Sequence, residues 1–129
     1  MEAEELIVLA VKAREHAYAP YSGFKVGAAL LTTGGRVFTG CNVENASYGL
    51  SNCAERTVLL KAVSEGERAF ARLAIVAEME GFLAPCGACR QLFQEFSPGL
   101  EVIMANTRGE YMRRTLEDLL PEAFGLPQS

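Results

Sequence analysis

Phe70-Ala71-Arg72-Leu73-Ala74-Ile75-Val76-Ala77, followed by Gly87 to Phe96 and then Leu100 to Ala105, decides the fold. The first stretch is a short apolar run and reads as a buried strand. Gly81 to Pro85 is a loop, and Gly87 to Phe96 has helical composition. That helix stops before Ser97-Pro98-Gly99, and Leu100 to Ala105 reads as another strand. Downstream, Asn106 to Gly109 is a turn into a short strand around Tyr111–Arg113. Thr115 is a candidate N-cap for a last helix through Leu120, closed by Pro121. Upstream, Leu6, Leu9, Ala10, Ala13 and Ala17 recur at three- and four-residue steps, which predicts an amphipathic helix from Ala3 to about Tyr18, ended by Pro20. Phe24 to Thr32 is β-rich, Thr33-Gly34-Gly35 is a hairpin turn and Arg36 to Val43 is its partner strand. Asn42 to Asn52 is polar and turn-rich. Ala54 to about Glu65 has helical composition and stops before Gly66. The order α-β-β-α-β-α-β-β-α predicts an α/β fold, a three-layer α/β/α sandwich around a mixed five-stranded sheet.

The 129 residues predict one catalytic domain over 1–129, and a hydrophobic fraction of 50% excludes a disordered chain. Twelve basic residues against 16 acidic give a net charge of -4. That balance argues against holding nucleic acid through its phosphates, which calls for a basic surface. Apolar runs such as Leu6–Val11 are far shorter than a bilayer crossing, so no membrane partner is expected. Met1-Glu2-Ala3-Glu4-Glu5 is acidic where a secretory signal is basic, which predicts a cytoplasmic protein.

In that setting Cys41, Cys53, Cys86 and Cys89 read as thiols or metal ligands rather than disulfides. The single histidine, His16, excludes any site needing two histidines from one chain and reads as a surface residue of the first helix. Cys53 and the pair Cys86/Cys89 fall where two helices begin, and helix starts stabilise thiolates. Three converging thiolates make a zinc centre with an open fourth position, one Zn2+ per chain, which marks catalysis rather than structure. Cys41 is left as a small buried hydrophobe. Glu55 can reach such a metal only if the ion lies beyond the helix end, with Cys53 at or before the cap. Metal and carboxylate together then supply metal-assisted hydrolysis with a general acid–base.

Cys53-Ala54-Glu55-Arg56 followed by Pro85-Cys86-Gly87-Ala88-Cys89-Arg90-Gln91 resembles the zinc nucleoside and nucleobase deaminases. The resemblance extends to cytidine deaminases of the small homotetrameric type. It runs through Tyr21-Ser22-Gly23-Phe24-Lys25-Val26-Gly27-Ala28-Ala29, Gly40-Cys41-Asn42-Val43-Glu44-Asn45-Ala46-Ser47-Tyr48 and Leu119-Leu120-Pro121-Glu122-Ala123-Phe124. It implies a pyrimidine nucleoside substrate, zinc on Cys53, Cys86 and Cys89, and Glu55 as the proton shuttle. It also implies Phe24 against the pyrimidine, Asn42 and Glu44 on the ribose 3′-hydroxyl, and Ala54 offering backbone to the base. Ala46, Tyr48 and Phe124 would reach a neighbouring subunit's site in a homotetramer.

Three thiolates leave zinc with about -1 net charge, which lowers its power to acidify a water. Arg56 and Arg90, beside Glu55 and Cys89, are candidates to offset that charge by guanidinium hydrogen bonds to the sulfurs. Two other classes compete. A thioredoxin-like redox protein would use Cys86-Gly87-Ala88-Cys89 but leaves Cys53 and Glu55 idle. A structural zinc module would recruit Cys41 as a fourth ligand and close the site. Among deaminases, a blasticidin S deaminase is the nearest alternative.

Overall fold

A computed structural model describes residues 1–128. Helix α1 spans Ala3–Arg14, and strands β1 (Val26–Thr32) and β2 (Val37–Cys41) form a hairpin. A 3-10 turn, Tyr48–Leu50, precedes α2 (Ala54–Ser64). Then come β3 (Phe70–Ala77), α3 (Gly87–Phe96), β4 (Glu101–Asn106), β5 (Tyr111–Thr115) and α4 (Leu116–Leu119). The five strands lie in the order β2-β1-β3-β4-β5. Only β3 and β4 pair in parallel, joined by α3, and the other neighbours are antiparallel. This is the mixed sheet read from the sequence.

The sheet has a core on each face because its strand residues alternate. Ala29, Leu31, Ala74, Val76, Ile103 and Ala105 meet Ala3, Leu6, Ile7 and Ala10 of α1. Val26, Ala28, Leu30, Leu73, Ile75, Val102 and Met104 face the opposite way, against Val58 and Leu59 of α2, Phe93 of α3 and Leu116 of α4. Helices on both sides make three layers. The α1 layer sits very close to β1: a Cβ built on Gly27 would lie 2.0 Å from the Ala10 carbonyl oxygen, so only glycine fits.

Several ends differ from expectation. The first helix stops at Arg14 rather than near Tyr18, because Tyr18 leaves it to bridge Val43. Tyr18 N–H donates to the Asn42 carbonyl at 3.0 Å, and its carbonyl accepts from Glu44 N–H at 2.8 Å. His16 is exposed in the turn beyond the helix, not on it. Phe24 and Lys25 stand outside β1, since the Phe24 carbonyl accepts from the Asn42 side chain instead of a strand. Strand β5 runs two residues further than expected, up to Thr115, whose hydroxyl caps α4 by accepting from Asp118 N–H.

Strands β2 and β3 are both antiparallel to β1 between them, so they point the same way. The helices that follow them, α2 and α3, therefore start over the same end of the sheet. Their N-caps are Cys53 and Cys86. Topology thus puts the two cysteine motifs together, although 33 residues separate them.

Candidate active site

The sulfurs of Cys53 and Cys86 lie 3.9 Å apart. All three Sγ atoms of Cys53, Cys86 and Cys89 fall within 4.8 Å of one another. Tetrahedral zinc with Zn–S bonds near 2.3 Å requires sulfurs about 3.8 Å apart. The triad therefore fits a zinc ion with little movement. Cys41 stands apart from it, half-buried on β2, where burial raises its thiol pKa. Among the described residues the cluster has three sulfurs and no fourth ligand. A closed four-thiolate structural centre is thereby set aside.

The sulfurs share protons unequally. The hydrogen bond with Cys89, helped by Cys86 and the Arg56 charge, lowers the Cys53 thiol to about 6 against the opposing effect of burial. Cys89, buried, holds its proton far more tightly because it is the donor to Cys53. Cys86 accepts from the Cys89 N–H at 3.5 Å, which fixes its sulfur over the start of α3.

Glu55, one residue inside α2, is 4% exposed. Its burial, reinforced by the charge of Cys53, raises its carboxyl to about 7. Such a group both takes up and releases a proton near neutrality, as a general acid–base must. Cys53 is the N-cap of α2, the placement that Cys53 and Glu55 require if both are to reach one ion.

Glu55, Cys53, Cys86 and Ala54 line a cavity of about 710 Å³. Phe24, Asn42, Glu44, Ala46 and Tyr48 line the same cavity. Phe24 is 39% exposed and Tyr48 91%. Two of these residues have partners that spacing did not reveal. Asn42 Oδ1 accepts from Val26 N–H, and its Nδ2 donates to the Phe24 carbonyl, both at 2.8 Å. Glu44 Oε1 accepts from the N–H groups of Tyr21 and Ser22 at 3.0 and 3.1 Å, while Oε2 accepts from the Ser22 hydroxyl. These bonds hold the Glu44 carboxyl below its usual pKa, the Ser22 hydroxyl contributing most. Tyr21, Ser22, Leu83 and Ala84 also line the cavity and carried no role in the sequence reading. Tyr21 and Ser22 head the first stretch that carries the family resemblance, and Leu83 is half-buried in the loop before α3.

Two expected contacts with sulfur are not made, and Phe124, expected at a neighbouring subunit's site, lies away from this cavity. Phe124, 68% exposed, borders a separate groove along α2 and α3 rather than this cavity. Arg56 faces that same groove, and its buried Nε has no hydrogen-bond partner, so it acts on Cys53 by charge and not by a bond to sulfur. Arg90 gives its Nε to the Pro85 carbonyl and an Nη to the Leu119 carbonyl, each at 2.7 Å. It pins the loop before α3 to the end of α4. Neither arginine makes the expected guanidinium–thiolate bond: the Arg90 guanidinium is taken up by the Pro85 and Leu119 carbonyls, and Arg56 borders the second groove.

Three converging thiolates, a buried carboxylate and an open cavity define a metal-dependent hydrolase for a small ligand. Residues 1–105 match the cytidine and deoxycytidylate deaminase zinc-binding region. A cytidine deaminase of Sporosarcina psychrophila is 52% identical over 125 residues, covering 96% of this chain and 92% of that protein. The crystal structure of cytidine deaminase from Burkholderia pseudomallei superposes with a TM-score of 0.93 at 57% identity, over 96% of this chain and all of that one. Cytidine deaminase from Mycobacterium tuberculosis superposes at 0.85 with 44% identity, over 98% and 99% of the two chains. The chain belongs to the cytidine and deoxycytidylate deaminase family, and its zinc ligand cluster lies inside the matched region.

Proposed function

We propose that the chain, as one catalytic domain, hydrolyses cytidine and 2′-deoxycytidine to uridine and 2′-deoxyuridine, releasing ammonia. The observation that carries this reading is one cavity lined by Cys53, Cys86 and Glu55 together with Asn42 and Glu44, with Cys89 completing the sulfur cluster. The three relatives' names and the family match support the same substrate class.

Cys53, Cys86 and Cys89 would hold zinc, which supplies a Lewis acid that makes water nucleophilic near neutral pH. Glu55 takes one proton from the attacking water and gives it to the pyrimidine ring nitrogen beside C4, which makes C4 electrophilic. The water oxygen bonds to C4. Glu55 then carries the second proton to the exocyclic amine, the C4–N bond breaks and ammonia leaves. Its burial keeps bulk water from competing for these protons.

Phe24 offers the pyrimidine an apolar face, and Ala54 is positioned to present backbone groups to the base. Hydrogen-bond counting explains the ribose end. Asn42 has one N–H left after its bond to Phe24, and Glu44 has one acceptor position left of about four on a carboxylate. A hydroxyl accepts from the first and donates to the second. A 3′-phosphate has no proton to give and adds negative charge beside Glu44, so free nucleosides are favoured over nucleic acid.

Assembly as a homotetramer would cover the exposed apolar side chains Leu60, Tyr48, Phe124 and Leu126, with Ala46, Tyr48 and Phe124 reaching a neighbour's site. A cytoplasmic location suits this substrate, and no helix among the described residues is long and apolar enough to cross a membrane.

The test is a metal count with an absorbance assay on cytidine. One zinc per chain and uridine formation are expected, with both kept in Cys41→Ser and zinc lost in Cys53→Ala. Full zinc in Cys53→Ala with loss in Cys41→Ser would overturn the open three-sulfur site.

A further inference from the structure

Ser22 is a hydrogen-bonding hub in the lining of the cavity that Cys53 and Cys86 also line. Its hydroxyl donates to Glu44 Oε2 and accepts from the Phe24 N–H at 3.0 Å. Its own N–H, with that of Tyr21, occupies Glu44 Oε1. Gly23 between Ser22 and Phe24 takes φ +70°, a conformation that lets the chain fold back so that one hydroxyl serves both neighbours. Oε1 therefore has both acceptor positions filled, while Oε2 has one filled and one open. The Ser22 proton decides which direction the open lone pair faces. The same oxygen, by accepting from Phe24, sets the backbone that places the aromatic ring.

We propose that Ser22 is a positioning residue for ribose recognition, orienting the last free acceptor of Glu44 toward the sugar hydroxyl and coupling that contact to the placement of Phe24. The inference rests on the reading of Glu44 as the acceptor for the 3′-hydroxyl. Without the Ser22 hydroxyl, Oε2 has two open positions that water fills, and the Phe24 N–H loses its acceptor. The carboxylate is then held only through the two N–H bonds on Oε1, and nothing fixes which way the open lone pairs of Oε2 face. Ser22 is exposed, so its truncation leaves the core untouched. A purely structural loss would weaken every ligand alike, whereas a positioning loss falls only on ligands that carry the hydroxyl.

Calorimetry on the zinc-loaded protein with uridine and 3′-deoxyuridine, neither of which reacts, separates the two. In the parent, uridine binds more tightly than 3′-deoxyuridine. In Ser22→Ala that preference falls by about tenfold, the scale of one hydrogen bond to a charged acceptor. Ser22→Thr, which keeps the hydroxyl, restores it. The KM for cytidine rises in Ser22→Ala while kcat at saturation changes little, because the lost contact is made in ground and transition states alike. Glu44→Ala serves as the reference. If it abolishes the preference while Ser22→Ala leaves it at the parent value, the assignment of Ser22 is wrong and that of Glu44 stands. If Glu44→Ala leaves the preference intact, the ribose reading fails and the Ser22 inference falls with it. Equal weakening of both ligands in Ser22→Ala, or failure of Ser22→Thr to restore the preference, also overturns the proposal.

Discussion

Asn42→Ala separates the support of the site from the chemistry in it. The Asn42 side chain is 9% exposed and spends two hydrogen bonds, both 2.8 Å, on the Val26 N–H and the Phe24 carbonyl. Alanine leaves the Val26 N–H buried and unpaired, which costs about 1–3 kcal/mol. The Phe24 carbonyl is less buried and can turn to water, so its loss adds about 1 kcal/mol. At this chain length a change of 1 kcal/mol moves Tm by roughly 3–5 °C. A fall on the order of 10 °C is expected in scanning calorimetry, with zinc still bound. Asn42→Asp gives a signature that alanine cannot. Its carboxylate still accepts from Val26 but faces the Phe24 carbonyl with an oxygen, whereas its protonated form can donate there. The folded-state pKa of the new group is therefore raised. The stabilisation is present below the unfolded value and is lost as pH rises through the folded one. Asn42→Asp should approach the parent at acidic pH and resemble Asn42→Ala at neutral pH. A Tm within 2 °C of the parent for Asn42→Ala, or no pH dependence of the difference between the two variants, would show that the amide does not pin this segment.

Gly27→Ala would place a methyl 2.0 Å from the Ala10 carbonyl oxygen and 2.7 Å from the Arg14 nitrogen, both backbone atoms that cannot swing away. A loss at or beyond the upper end of the ~1–3 kcal/mol typical of overpacking is expected in urea unfolding, and a stability equal to the parent would refute the tight seat of α1 on β1. Arg56→Ala removes a cation that favours the ionised forms of both Cys53 and Glu55. The acidic limb of the pH–rate profile should move upward with little change in KM, and an unmoved profile would mean that the helix ends alone offset the thiolate charge.

Much of this architecture is legible in local signals. Phe70–Ala77 and Gly87–Phe96 fall where the apolar run and the Ser97-Pro98-Gly99 stop place them, because composition marks both ends locally; the Phe70 N–H bond to Ser97 Oγ at 2.8 Å then ties the two together. The end of α1 depends on a distant partner: Tyr18 trades helical bonds for the Asn42 and Glu44 backbone, which no periodicity encodes. The sulfur triad is readable because helix starts after parallel-running strands must meet at one end of the sheet. Cys53 at the cap follows from the need for both it and Glu55 to reach one ion. Arg90 could not be read, since its partners are carbonyls of Pro85 and Leu119, far apart in sequence and chemically featureless there. For Asn42 and Glu44 the polar type was visible while the partners were not. Sequence shows which residues can form hydrogen bonds, and folding decides how many of those bonds are already made.

The most direct test of the account is the turnover of cytidine by zinc-replete Glu55→Gln protein. The substitution keeps the size of the buried side chain and removes its capacity to carry protons. Zinc content and Tm should match the parent, and kcat should fall by at least the ~10²–10⁴-fold expected from losing a general acid–base. Near-parental turnover with zinc in place would contradict the assignment of proton transfer to Glu55 and, with it, the chemistry proposed for this site.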